Sequence, residues 1–277
     1  MTYSRPDSLS DALDLIARQH HQVVAGGTDI YAATTAPVLQ GSVLDITAIQ
    51  ELRGISQTAE GWRIGGATTW TDIINEKLPA AFDGLKLCAR EIGSRQIQNA
   101  ATLAGNLCNA SPAADGVPVL LTLEASVELC SQAATRTLPL ADFLTGPRQT
   151  VLRDDELLSA IVVPETGARG RSGFIKLGSR KYLVISIVMA AVRLVENDGL
   201  IEDIAISVGS CSPVAVRLND LETALIGQQI GSFQIAENLV NGPLSPIDDI
   251  RATADYRRSA AVEIVRRVIA QALEPGP

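Results

Sequence analysis

The sequence predicts an α+β fold in two domains, and three observations carry that expectation. The first half of the chain alternates short apolar runs with stretches in which apolar residues recur at helical spacing. This pattern gives way to Glu165-Thr-Gly-Ala-Arg-Gly-Arg-Ser-Gly173, where glycine, small residues and charge read as a linker. Beyond it, Ile185 to Val195 and Ile201 to Val208 flank Glu196-Asn-Asp-Gly199, whose Asn and Gly tolerate the positive φ of a hairpin loop. A length of 277 residues agrees with two domains on a prior of roughly 150 residues each, and suffices for a core without staples.

In chain order, Ser8-Leu-Ser-Asp11 reads as a capping box, and Leu9, Ala12, Leu13, Ile16 and Ala17 continue it as an amphipathic helix to Gln19. His20 and His21 then serve the helix C-terminal end. Gln22 to Ala25 is a short strand running into Gly26-Gly27, after which Thr28-Asp29 starts a helical segment through Ile30 to Ala33. Ser42 to Thr47 and Trp62 to Thr69 read as strands, Trp70 opens a helix, and Leu85 to Ile92 is helical by period. From Gly93 to Asp115 the chain is small-residued with little periodicity, and no regular element is predicted there. Val117 to Leu123 then reads as a helix, Ser126 to Cys130 as a strand, and Leu157 to Val163 as a strand stopped by Pro164. After the hairpin, Ala215 to Ile226 and Tyr256 to Leu273 read as helices, so an antiparallel sheet backed by helices is expected.

Composition narrows the function classes. A net charge of −8 argues against nucleic-acid partners, because a basic footprint is needed to neutralise phosphates. No apolar run approaches the roughly 18 residues of a membrane span, and the opening residues do not build a secretory signal, so a cytoplasmic protein is expected. Cys88, Cys108, Cys130 and Cys211 are widely spaced, with no CxxC, and read as free, mostly buried thiols and not as a metal site. The only histidines are adjacent, which leaves no Ser-His-Asp or Cys-His set. Aromatics make up 4% of the chain, with Trp62 and Trp70 the only tryptophans, so the core is aliphatic.

Two glycine-centred segments remain, Val23-Val-Ala-Gly-Gly-Thr-Asp-Ile30 and Asn99-Ala-Ala-Thr-Leu-Ala-Gly-Asn-Leu-Cys-Asn-Ala-Ser-Pro-Ala-Ala-Asp115. A pyrophosphate needs several backbone N–H groups converging on it, and residues without a large Cβ branch let the backbone come close. Thr28, Thr102, Asn106, Asn109 and Ser111 add neutral donors, and a helix after Gly27 would aim its positive end at the anion. A Gly-Gly turn after a strand is also an ordinary turn. The second segment is less ordinary, since some twenty small residues without a function are uncommon in a globular chain. Neither segment matches G-x-G-x-x-G, which disfavours a Rossmann fold.

The residues themselves resemble a known family. Ile92-Gly-Ser-Arg-Gln-Ile-Gln-Asn-Ala-Ala-Thr-Leu-Ala-Gly-Asn106, continuing as Asn109-Ala-Ser-Pro-Ala-Ala-Asp115, is similar to the second FAD motif of the molybdenum hydroxylase flavoproteins of the xanthine and carbon monoxide dehydrogenase type. Val23 to Asp29 is similar to their first motif. Phe174-Ile-Lys-Leu-Gly-Ser-Arg-Lys181 and Ile185-Ser-Ile-Val-Met-Ala-Ala-Val-Arg193 resemble the entry into their C-terminal domain. The resemblance implies an FAD-binding region over residues 1–168, made of two small α/β subdomains at about 1–58 and 59–168, and a C-terminal domain over 169–277.

It also implies site residues. Val23, Val24, Ala25, Gly26, Gly27, Thr28, Asp29 and Ile30 would bind the FAD pyrophosphate and adenosine side, and Thr102, Ala104, Gly105 and Asn106 the other face of the phosphates, with Ser111 an added donor. Asp115 would accept hydrogen bonds from the cofactor, although as a residue it also reads as an N-cap before Val117. Ile92 and the backbone of Leu157 would lie against the cofactor, and Lys176 near the isoalloxazine, where a cation favours reduced, anionic flavin. An edge-strand lysine is the ordinary alternative for Lys176. Tyr182 is a further flavin neighbour, and no metal ligand is expected. Two positions depart from the family: Ala104 stands where a glycine is frequent and needs negative φ, and Val184 stands where an aspartate is frequent. The implied activity is electron relay. On that resemblance FAD would be held non-covalently, molybdopterin and 2Fe-2S clusters would reside on partner subunits, and NAD or another acceptor would take the electrons. A stand-alone FAD oxidoreductase and a flavin-free assembly subunit are the alternatives.

Overall fold

The computed structural model describes residues 2–274. Three sheets succeed one another along the chain. The first is a parallel sheet of β1 (Thr2–Ser4), β2 (Gln22–Val24) and β3 (Ser42–Asp45), with β3 central and α1 (Leu9–Arg18) and α2 (Ile30–Ala33) in the connections. Ser8 caps α1 by accepting from the Asp11 N–H at 3.1 Å, and Ala12 and Ile16 bury its apolar face. The helix stops at Arg18, and His21 turns its Nδ1 to the Gln19 carbonyl at 2.9 Å.

The second sheet is antiparallel: β4 (Ile55–Thr58), β5 (Gly61–Gly65), β6 (Ser126–Cys130), β7 (Thr135–Pro139) and, in its centre, a later strand. Between β5 and β6 run α3 (Trp70–Asn75), α4 (Asp83–Glu91), α5 (Arg95–Ala100), α6 (Leu103–Asn109) and α7 (Gly116–Thr122). After β7 come α8 (Leu140–Phe143), the small ribbon of β8 (Leu144–Gly146) and β9 (Gln149–Thr150), and then the central strand β10 (Leu157–Val163), which lies between β5 and β6. β10 is buried at every position but Val162, as its continuous apolar run requires. The expected strand over Trp62 to Thr69 ends at Gly65, because the chain turns there and Thr69 forms a capping box with Asp72 at the start of α3. The irregular stretch expected from Gly93 to Asp115 contains two short helices, the largely polar α5 and the smaller-residued α6, neither long enough to show an amphipathic period.

The third sheet is antiparallel in the order β11 (Arg171–Leu177), β12 (Val188–Asn197), β13 (Leu200–Gly209), β14 (Val216–Arg217). The hairpin between β12 and β13 turns at Asp198 and Gly199, both at positive φ. α9 (Asn219–Leu225), α10 (Glu237–Asn241) and α11 (Ala254–Leu273) complete the fold. Two expectations need correction: the linker ends earlier than Gly173, since β11 begins at Arg171, and the helix over Ala215 to Ile226 is a short strand followed by α9, because Val216 and Arg217 pair with β13 first. The α+β class and the antiparallel C-terminal sheet backed by helices are observed. α11 packs on β11 and β12, while α7 and α4 from the preceding region also pack on this sheet. Phe174, Met189 and Ala191 of the third sheet therefore belong to the same buried cluster as α3, α4, α6 and α7.

Candidate functional site

A cavity of about 360 Å³ lies between the first and second sheets. One wall is the turn after β2, with Val23, Ala25, Gly26, Gly27, Thr28, Asp29 and Ile30; facing it are Ala101, Thr102, Ala104, Gly105, Asn106, Cys108 and Asn109 of the second motif. The remaining lining is largely aliphatic: Ile46, Ile92, Ile97, Leu152, Leu157 and Leu158, with Trp70, Gly66 and Glu156.

The two motifs are built against each other. A Cβ on Gly26 would stand 2.0 Å from the Ala100 carbonyl oxygen, so only glycine lets this turn close on the end of α5. Gly27 has φ +68°, and a Cβ added there would run into the Tyr31 ring. The second motif is pinned in turn to the start of α3, with Trp70 N–H donating to the Ala101 carbonyl at 3.2 Å and Leu103 N–H to Thr68 at 3.2 Å. Thr102 caps α6, its hydroxyl accepting from Gly105 N–H at 3.1 Å. Ala104 lies within α6, so the departure from glycine asks for no left-handed conformation.

Among the described residues, no protein acceptor takes the N–H groups of Gly26, Gly27, Thr28, Asp29, Ile30 or Ala104. The residues that carry these donors line a concave wall together with Thr102, Asn106 and Asn109. No lysine or arginine is in the lining. The chemistry on offer is a cradle of neutral donors for an anion, beside an aliphatic wall for a flat ring. Such a cradle fits the pyrophosphate and ring system of a flavin dinucleotide. α2 is a single turn, too short to supply the macrodipole expected after Gly27.

Other predicted residues lie elsewhere. Val24 is buried behind the turn with Leu39 and Val43, and Ser111 uses its hydroxyl to accept from Ala113 N–H at 3.2 Å. Neither lines the cavity. Asp115 precedes α7 without capping it: its side chain bonds no N–H of the helix. Instead it accepts from Lys176 Nζ at 2.6 Å and from Ser186 Oγ at 2.5 Å, in a pair whose side chains are each 6% exposed. Lys176 is therefore a compensated charge that does not line the cavity; next to its partner Asp115, the Gly116 N–H donates to Asn106 Oδ1 of the cavity wall at 3.2 Å. Tyr182 stands exposed on the loop after β11, beside Lys181, and Val184 folds back on Gly178. Trp70, Ile46, Cys108, Leu152 and Glu156 line the cavity without having been singled out in the sequence. They come from four separate segments, and apart from Cys108, which lies within the second motif, no local pattern marks them.

Glu156 is the one buried carboxylate in the wall. Arg136 grips it with Nε at 2.7 Å and Nη2 at 2.8 Å, which holds its carboxyl below the usual carboxylate range.

Comparison with known proteins agrees with this geometry. The family model described as the FAD binding domain in molybdopterin dehydrogenase matches residues 1–166, and that of the CO dehydrogenase flavoprotein C-terminal domain matches residues 174–272. The chain is 30% identical to the nicotine 6-hydroxylase medium subunit of Paenarthrobacter nicotinovorans, over 98% of this chain and 96% of that protein. It is 28% identical to the xanthine dehydrogenase FAD-binding subunit of Escherichia coli O157:H7, with the same coverage. Among solved structures, a chain of the carbon monoxide dehydrogenase of Hydrogenophaga pseudoflava superposes with a TM-score of 0.90 at 26% identity, covering 98% of this chain and 96% of that one.

Proposed function

The chain belongs to the family of FAD-binding domains of molybdopterin dehydrogenases, and from that premise we propose that it relays electrons inside a molybdenum hydroxylase complex, from 2Fe-2S clusters to NAD or another acceptor. The observation that carries the reading is the cradle: two small-residue motifs seated on each other, with six N–H groups lacking a protein acceptor at a cavity wall. FAD, bound non-covalently, supplies a redox centre able to take electrons in pairs or singly. Gly26 to Ile30 and Ala104 hold the pyrophosphate by main-chain donors, and Thr28, Thr102 and Asn106 complete its shell. Asp29, a carboxylate at the cavity edge, accepts from the adenosine ribose. Ile92, Leu157 and their aliphatic neighbours exclude water from the ring, and the Asp115–Lys176 pair steadies the wall behind Asn106.

In this reading residues 1–168 carry the cofactor and 169–277 brace them, while substrate chemistry belongs to a molybdopterin-bearing partner and the clusters to another. The names of the relatives, which include the medium subunit of a nicotine 6-hydroxylase and the FAD-binding subunit of a xanthine dehydrogenase, support a subunit role. No helix of the described residues is long and apolar enough to cross a membrane, and we assign the complex to the cytoplasm.

Capture of the tagged chain from its native cells tests the relay. Molybdenum and iron are expected in the eluate with FAD, and anaerobic NADH is expected to bleach the flavin if NAD is the acceptor. A captured chain that holds FAD and oxidises a substrate with neither metal present would favour a stand-alone oxidoreductase.

A further inference from the structure

Behind the aliphatic wall of the cavity lies a half-buried polar knot. Residues 151–156 form no helix or strand, yet Leu152 and Leu157 at the two ends of this loop both face the cavity. One side chain closes the loop. Arg136, on β7, makes two parallel bonds to the Glu156 carboxylate at 2.7 and 2.8 Å, and its Nη2 also donates to the Val151 carbonyl at 2.8 Å. The same carboxylate accepts from Arg153 N–H at 2.9 Å, and Glu156 N–H donates to the Arg153 carbonyl at 3.1 Å. The Glu156 side chain is 3% exposed and that of Arg136 33%, so the carboxylate is held out of bulk water while the guanidinium meets it from the half-exposed side.

We infer that Arg136 is a positioning residue for the cofactor: through Glu156 it fixes the Leu152–Leu157 wall against which the isoalloxazine ring packs. The inference rests on the FAD reading given above. Only a planar fork satisfies a carboxylate with two parallel bonds and a neighbouring carbonyl at once; an ammonium is a point donor and cannot. The knot acts on the ring and not on the phosphates, because the donors for the phosphates come from the opposite wall, the turn after β2 and the start of α6, which share no bond with Arg136. Holding a wall in place matters because an apolar ring gains its binding energy from contact at van der Waals distance, which a mobile loop does not offer.

Calorimetric titration of the flavin-depleted full chain separates the two walls. FAD and ADP are the ligands, since ADP carries the pyrophosphate and adenosine but no ring. Arg136→Gln is expected to weaken FAD by about tenfold or more and ADP by less than about twofold. The absorption bands of bound flavin are expected to lose their fine structure and resemble those of free FAD. Arg136→Lys keeps a cation beside Glu156 and is expected to restore the melting temperature without restoring FAD affinity or the spectrum, which a purely structural ion pair would not do. Unchanged FAD affinity and spectrum in both variants, or equal weakening of FAD and ADP, would overturn the inference. Failure of the wild-type chain to bind FAD at all would remove the reading on which it stands, and the inference with it.

Discussion

Gly26 and Gly27 are adjacent, yet they need to be glycine for different reasons. Gly26 has no room, because its Cβ would meet a main-chain oxygen in the opposite motif. Gly27 has a left-handed backbone, and the atom its Cβ would meet is the ring of an exposed tyrosine that can turn away. Gly26→Ala is therefore expected to pry the motifs apart, with a loss of about 1–3 kcal/mol in stability and of most bound flavin. Gly27→Ala is expected to cost only about 1–2 kcal/mol of backbone strain and to keep partial flavin content. Denaturant melts paired with flavin-to-protein absorbance ratios check both, and a Gly26→Ala protein with full flavin would show that the turn does not need to close on α5. Glu156 adds a pH dependence. The Arg136 fork lowers its pKa first, burial opposes this, and the Arg153 N–H and charge add to the lowering. A depressed carboxylate contributes stability that is complete above its ordinary value near 4.5 and is lost as pH falls through the depressed value. The wild-type melting temperature should thus fall more steeply below about pH 4.5 than that of Glu156→Gln. Parallel profiles would mean that the fork contributes nothing.

α7 is the element that joins the cofactor region to the third sheet. All of its residues are buried, and cations from that sheet meet it at both ends. Lys176 pairs with Asp115 before its first turn, while Arg193 Nε and Arg217 Nη1 donate to the Thr122 and Leu121 carbonyls at 2.9 Å each. Arg193→Leu leaves the Thr122 carbonyl buried without that donor. Glu124 and Asp203, its acidic partners, are 42% and 44% exposed and can rehydrate, so the expected loss is about 1–3 kcal/mol and not the larger cost of a stranded buried charge. A midpoint of denaturation within error of wild type would contradict this. Elements with a strong period or turn signal were legible in the sequence: α1 from its cap and apolar face, β10 from its apolar run, the β12–β13 hairpin from Asn-Asp-Gly, α11 from its length. α5 and α6 were not, because six or seven residues, polar in α5 and mostly small in α6, carry no period and their places are set by contacts with Gly26 and Thr68. β4 and β7 are short, partly polar edge strands that take their form from their neighbours. The site divides the same way. Its small-residue motifs could be read from composition, whereas Glu156 and Trp70 reach the cavity from segments far apart, Arg136 meets it only through Glu156, and Lys176 had no sign in the sequence of its partner Asp115.

For the whole molecule, the packing of α4 and α7 on the third sheet, which lends Phe174, Met189 and Ala191 to the core of the second region, predicts that these regions unfold together although each side of that sheet has its own cluster. Calorimetry of the full chain is expected to give one unfolding transition, and two well-separated transitions would mean that α7 does not couple the regions. The central claim is that the cavity between the two motifs holds FAD without a covalent bond. Acid precipitation of the purified chain, followed by chromatography of the supernatant and absorbance of the pellet, tests it most directly. Stoichiometric FAD in the supernatant and a colourless pellet are expected. FMN in the supernatant, no flavin in either fraction, or flavin retained on the polypeptide, where Cys108 is the thiol in the cavity wall, would contradict it.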